Sequence, residues 1–129
     1  MNAIIPPAIE IKYIEAIQGY GVFATRNFKK DELIENAPVI SLSEETFTSL
    51  DSTELFNYYF GWNAGAAIAL GYASLYNHSF QNNATYLQDY EAGVLRITAN
   101  KAIQKGDEIL VDYTRGDTSV KLWFTPKRW

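Results

Sequence analysis

Apolar and polar positions alternate with a period of two at both ends of the chain and lose that rhythm in the middle. Ile9, Ile11 and Tyr13 alternate with Glu10 and Lys12, the pattern of a half-buried strand. Gly19-Tyr20-Gly21 breaks the run as a turn, and Val22-Phe23-Ala24 resumes it. Lys29-Lys30-Asp31-Glu32 reads as a turn before Leu33-Ile34 and Val39-Ile40. Toward the other end, Thr85 to Tyr90 and Val94 to Ala99 flank Glu91-Ala92-Gly93, a hairpin signal. Lys105-Gly106-Asp107 then precedes a strand from Glu108 to Tyr113.

These two ends also resemble each other. Ala24 to Ile34 aligns with Ala99 to Leu110 once a glycine is inserted, so that both read as a basic loop and a turn feeding a strand. An internal duplication and chance likeness between turn-rich stretches both explain this. The middle differs: from Leu55 to Gln88, 34 successive residues include no Asp, Glu, Lys or Arg. Leu55, Tyr58, Tyr59 and Trp62 have helical spacing behind Asp51 or Ser52 as cap. Such an uncharged stretch, rich in Asn and Tyr, is expected in the core or around a cavity. The C-terminal tail, Ser119 to Trp129, concentrates Trp123, Phe124 and Trp129 and is expected to dock on the body.

Composition narrows the chemistry. The 129 residues include no cysteine and a single histidine, His78. That excludes a disulfide framework, a thiolate nucleophile, an iron–sulfur cluster and a Cys/His zinc site. Any Ser-His-Asp triad would have to run through His78. At 47% hydrophobic and 20% charged, the chain reads as one ordinary globular domain. A net charge of −4 argues against nucleic acid as the main partner and suits a basic, lysine-rich peptide. Met1 to Ala8 carries no signal-peptide pattern, and the most apolar segment, Ala64 to Ala73, is too short to span a bilayer. The expectation is an intracellular protein, in the cytoplasm or a host nucleus, without a membrane partner.

Three short motifs remain: Gly19-Tyr20-Gly21-Val22-Phe23-Ala24, Tyr76-Asn77-His78-Ser79, and Gly106 to Tyr113, which reads GDEILVDY. Singly, each has an ordinary structural explanation. The Gly-x-Gly pair lacks the third glycine and the following helix of a dinucleotide fingerprint. In this order, the trio resembles the signature of the SET-domain protein-lysine methyltransferases, over about Ile9 to Tyr113. The likeness is to minimal, stand-alone, zinc-free members such as those of some viruses and bacteria.

The resemblance implies a mostly β fold with short helices (α+β), a β-clip of small antiparallel sheets with a knot-like C-terminal active site. One SET domain would fill residues 1–129, with a variable insert at about 44–70 and an aromatic lid at about 114–129. It also implies S-adenosylmethionine as methyl donor, S-adenosylhomocysteine as product, and a lysine side chain of a protein, such as a histone, as acceptor. Gly19 and Gly21 would contact the donor's methionine end, with Tyr20 near its reactive part. Asn77 would bond the amino-acid portion and the His78 backbone the adenine. Tyr113 would be the catalytic tyrosine, at the junction of cofactor and lysine channel. Trp123 or Phe124 would cover the adenine, or merely pack on the core. Tyr86, Val111 and Tyr58 would line the lysine channel, and Tyr59 and Trp62 the peptide groove or the core. With Tyr86 aromatic and Val111 not, the number of methyl groups stays open, leaning toward one or two. Some minimal members are homodimers.

Methyl transfer to an amine is an in-line displacement, so the nitrogen must be neutral and aligned. Free lysine, with a pKa of about 10.4, is neutral only ~0.1% of the time near neutral pH, a deficit of roughly 4 kcal/mol. A narrow aromatic channel disfavours the charged amine, and a tyrosine hydroxyl orients it. As a general base the tyrosine is poorly matched, so positioning is its expected role. Two departures stand out. Where the family often continues with cysteine and proline, this chain has Phe80 and Asn82, while Asn83 matches. The first goes with a missing zinc module, and the second bears on loop geometry. Two rival readings are a catalytically silent module that binds a lysine or methyl-lysine peptide, and an enzyme acting on a non-protein amine.

Overall fold

A computed structural model describes residues 4–50, 52–63 and 65–114. Its strands run in the order β1 (Ile9–Ile14), β2 (Gly19–Ala24), β3 (Leu33–Leu42), β4 (Tyr59–Trp62), β5 (Gly65–Ala69), β6 (Asn77–His78), β7 (Ala84–Asp89), β8 (Val94–Ala99) and β9 (Leu110–Val111). A short helix, α1 (Glu44–Leu50), separates β3 from β4. They form an antiparallel β1–β2 ribbon, a curled antiparallel sheet ordered β4-β5-β3-β8-β7, and a parallel β6–β9 pair. The mostly β fold with short helices is the one expected. The tail aromatics Trp123 and Phe124 lie outside the described residues.

Several local expectations need correcting. Gly19-Tyr20-Gly21 is the first half of β2, not a turn: Gly19 faces Ile14, Tyr20 faces Tyr13 and Gly21 faces Lys12. The reversal is made one step earlier by a 3-10 turn at Glu15–Ile17, with Gln18 left-handed at φ 50°. Leu33-Ile34 and Val39-Ile40 belong to one strand. It changes partners at Pro38, pairing with β8 up to that residue and with β5 from Val39 onward. Proline has no N–H to give the ladder, so it sits where one pairing ends.

The helix expected from Leu55 to Trp62 is one 3-10 turn at Glu54–Asn57, capped by Thr53, followed by β4. The true helix lies earlier. Ser43 accepts the N–H of Thr46, and Glu44 and Glu45 favour the positive N-terminal end. The last strand is shorter than the sequence suggests, and Tyr113 stands in a turn beyond β9.

The two similar segments share one backbone, and they bond to each other about an approximate two-fold axis. Phe28 and Ile103 exchange N–H···O bonds of 2.8 and 2.9 Å. Ala24 N–H bonds Asp107 O as Ala99 N–H bonds Glu32 O, each at 2.9 Å. Gly106 N–H bonds Ala24 O as Asp31 N–H bonds Ala99 O, each at 2.8 Å. Asp31 (φ 71°) and Gly106 (φ 93°) hold the same left-handed position, so the alignment needs no inserted glycine. Inside, Val22, Phe28, Ile34, Tyr76, Ile97, Ile103 and Ile109 form the main core. A second cluster, with Trp62, Ala67 and Leu95, packs under the sheet.

Candidate functional site

The pairing of β6 with β9 brings the second and third motifs together. Asn77 lies opposite Leu110 and His78 opposite Val111. The first motif reaches the same place through Asn77, whose amide Nδ2 donates to the Tyr20 carbonyl and to Glu108 Oε2, both at 2.9 Å. At Gly21 a Cβ would come within 2.6 Å of Glu108 Oε2 and 3.1 Å of Asn77 Nδ2. A side chain there would displace the Glu108 carboxylate and the Ile14 side chain, so glycine lets the three segments meet without moving them. Tyr20 is 59% exposed and stands edge-on to Tyr13, with ring centroids 5.5 Å apart.

His78 contributes its side chain as well. Its ring is buried, and Nδ1 accepts the backbone N–H of Tyr113 at 3.0 Å, which assigns the ring proton to Nε2. Burial pulls His78 below the ordinary histidine value, against the opposing charge of Asp112 at 3.7 Å. A neutral ring is what the bond to Tyr113 needs. Asp112 is itself tied into the turn, accepting from the N–H and hydroxyl of Thr114 at 2.9 and 2.6 Å.

Tyr113 is fixed at three points. Its N–H meets His78, its carbonyl accepts the Tyr86 hydroxyl at 3.2 Å, and its own hydroxyl donates to the Tyr76 carbonyl at 2.7 Å. Burial pushes its phenol up to about 12, helped by Tyr86 and Glu108. Tyr113 also borders a cleft of about 250 Å³ together with Tyr58, Tyr86 and Val111. Most of that wall comes from the uncharged middle of the chain, and none of the lining residues carries a charge. Tyr59 shares the wall, whereas Trp62 is buried in the core.

Two residues central to this geometry carried no signal in the motifs. Asn83 works as a stitch: its Oδ1 accepts Leu110 N–H at 2.8 Å and its Nδ2 donates to Glu108 O at 2.9 Å. Only the family likeness marked it. Glu35, buried on β3, accepts the hydroxyl of Tyr76 and the N–H of Tyr72. Burial pushes its carboxyl up, and these two donors pull the other way. Nothing in a Leu-Ile-Glu-Asn stretch distinguishes it from a surface strand residue.

The fold and this clustering of motifs define a SET domain. The SET-domain family profile matches residues 19–114, and the chain belongs to that family. A histone-lysine N-methyltransferase of Schizosaccharomyces pombe, specific for H3 lysine-37, is 28% identical over 123 residues, 94% of this chain and 80% of its own length. A crystal structure of a candidate histone methyltransferase of Plasmodium falciparum is 32% identical with a TM-score of 0.69, over 84% of this chain and 95% of that one. In fold alone, the chain is also similar to a ctPRC2 complex chain with altered Ezh2, at 22% identity and a TM-score of 0.66, over 88% of this chain and 15% of that one. By name the first is a histone-lysine methyltransferase and the second a histone methyltransferase; SET methyltransferases as a family take their methyl group from S-adenosylmethionine. Among the described residues no helix is long and apolar enough to cross a membrane.

Proposed function

We propose that this protein transfers a methyl group from S-adenosylmethionine to a lysine side chain of a protein, with Tyr113 as its catalytic residue. The observation that carries this reading is the state of Tyr113 at the end of an uncharged aromatic cleft. Its hydroxyl proton is already donated to the Tyr76 carbonyl, and its acidity is suppressed. Toward an incoming amine it is therefore an acceptor that orients, not a base that abstracts. The cleft wall of Tyr58, Tyr86 and Val111 offers no counter-charge. An ammonium group entering it is disfavoured relative to the neutral amine by desolvation.

The residues present fit the methyl donor. Asn77 bonds Tyr20 and Glu108 through its amide nitrogen alone, so among the described residues its carboxamide oxygen is left for the ammonium of an amino-acid group. At Gly19 a Cβ would meet only the Ile17 carbonyl oxygen, in ordinary contact at 3.8 Å, so the chain leaves room beside β2 at that point. When bound, S-adenosylmethionine supplies the electrophilic methyl group. Gly19, Gly21, Asn77 and the His78 backbone would hold it, with Tyr20 alongside and Trp123 as cover. The substrate class to test first is a histone tail, in keeping with the names of the two relatives and with the acidic balance of this chain.

The test is incubation with methyl-labelled S-adenosylmethionine and histone H3 or a lysate, followed by identification of the labelled lysine. Tyr113→Phe is expected to lower turnover roughly a hundredfold, the scale for losing one oriented polar group, with cofactor binding retained. Full turnover in that variant would remove Tyr113 from the reaction.

A further inference from the structure

Between Leu33 and Glu35 the register of β3 against β8 slips by one residue. A regular strand sends neighbouring side chains to opposite faces. Here Ile34 and Glu35 are both buried, each 4% exposed, so the bulge turns a carboxylate inward. No described lysine or arginine forms an ion pair with it. What meets it instead is the Tyr72 N–H on Oε2 at 2.9 Å and the Tyr76 hydroxyl on Oε1 at 2.8 Å. The chain closes over this carboxylate at Gly71, where φ is +76° and a Cβ would stand 2.6 Å from Oε2.

A buried carboxylate without a cation is an expensive way to fill a core position, and an apolar side chain would do so at lower desolvation cost. The carboxylate does two things an apolar group does not: it accepts the N–H of Tyr72, and it grips the phenol of Tyr76. That residue is anchored twice. Its side chain is held by Glu35, and its carbonyl takes the Tyr113 hydroxyl at 2.7 Å.

We infer that Glu35 is a positioning residue for methyl transfer: by holding Tyr76 it fixes the carbonyl that sets the direction of the Tyr113 hydroxyl. This rests on the methyltransferase reading above. Glu35 acts at one remove, through Tyr76, and takes no part in the bonds made or broken.

The experiment compares kcat and KM for the wild type, Tyr76→Phe, Glu35→Gln, Tyr113→Phe and the two double variants that include Tyr113→Phe. Tyr76→Phe should lower kcat about tenfold, the effect of one lost hydrogen bond, with KM for S-adenosylmethionine within about twofold. Glu35→Gln keeps an acceptor and should lose roughly threefold, a partial rescue. In the Tyr113→Phe background neither change should cost anything more, because the hydroxyl they aim is gone. Undiminished kcat in both single variants would overturn the proposal, and so would losses that multiply in the double variants, the mark of a merely structural role.

A second readout does not depend on turnover. With tyrosines labelled at Cζ, the carbon-13 resonance of Tyr113 should move in Glu35→Gln, and an unmoved resonance would also overturn the proposal. A wild-type protein that transfers no methyl group would refute the function proposed above, and the resonance would then decide the positioning by itself.

Discussion

The two symmetry-related turns start alike and lead into very different strands. After Lys29–Glu32 the chain enters β3, ten residues flanked by β8 and β5 and held by backbone ladders. After Gln104–Asp107 it enters β9, two residues that among the described strands pair with β6 alone, and then the turn that carries Tyr113. Beside backbone bonds from Ile109 to Val22 and from Ser79 and Asn83 to β9, this second arm is stitched by side chains: Asn83 on Leu110 and Glu108, His78 on the N–H of Tyr113, Tyr86 on its carbonyl, Asp112 on Thr114. Backbone ladders tolerate most substitutions, because every residue type except proline carries the same groups. Side-chain stitches depend on identity. One copy of the unit therefore serves as framework, while the other keeps only a short ladder and adds a set of residue-specific bonds around a single tyrosine.

The largest break in this comparison should come from Asn83→Ala. It leaves the N–H of Leu110 and the carbonyl of Glu108 without their partner in a half-buried setting, at a cost of about 2–4 kcal/mol. Thermal unfolding and methyl transfer should suffer together, whereas an alanine at exposed Asn27 on the other arm should cost less. Unchanged stability in Asn83→Ala would mean that the second arm is held by something else.

His78 comes next, and it makes the second arm sensitive to pH. Its folded value lies below the unfolded one of about 6.5, so the unfolded chain binds the proton first. Stability should therefore rise with pH up to about 6.5 and fall on acidification, as the ring protonates and Nδ1 can no longer accept from Tyr113. His78→Asn keeps an acceptor without the titration, and it should flatten this acid limb in both unfolding and turnover. An acid limb unchanged in the variant would assign it to another group.

The smallest effects concern the turns themselves. Gly106→Ala meets no atom within 4 Å, so its cost of about 1 kcal/mol is that of left-handed backbone alone. Asp31→Gly, at the equivalent place, should shift stability by only a few tenths of a kcal/mol, since Asp already tolerates that conformation. A Gly106→Ala cost no larger than the Asp31→Gly shift would contradict the left-handed backbone that both positions share, and chemical denaturation of the two variants is enough to decide.

Much of the fold was legible because it is written in alternation. β1, the β7–β8 hairpin and the likeness of the two turns all follow from period-two patterns and from Gly, Lys and Asp punctuation. What escaped has a shared physical cause. The helix expected at Leu55 to Trp62 rests on aromatic spacing that a strand uses equally well, since Tyr59, Phe60 and Trp62 all have a place on β4. The β2 glycines read as a turn because glycine permits one, yet they lie in a strand, where Gly21 lets Asn77 and Glu108 approach.

For the site, the motifs singled out Asn77, His78 and Tyr113, and the resemblance singled out Tyr58, Tyr86 and Val111, which border one cleft with Tyr113. Hidden from a linear reading were the bonds that hold them. The acceptor role of the His78 ring depends on a turn 35 residues away, and the burial of Glu35 on a one-residue slip in register.

The curl of the main sheet has one more effect. Its two outermost strands, β4 and β7, end up facing each other. Gln88 reaches across to the carbonyl of Gly61 at 3.2 Å, and Phe60 meets Tyr86 at 5.6 Å between centroids. Unpaired strand edges are the usual templates for edge-to-edge aggregation. By joining its two edge strands at these contacts, the sheet partly occupies both edges, which lowers their availability as templates for intermolecular β-structure.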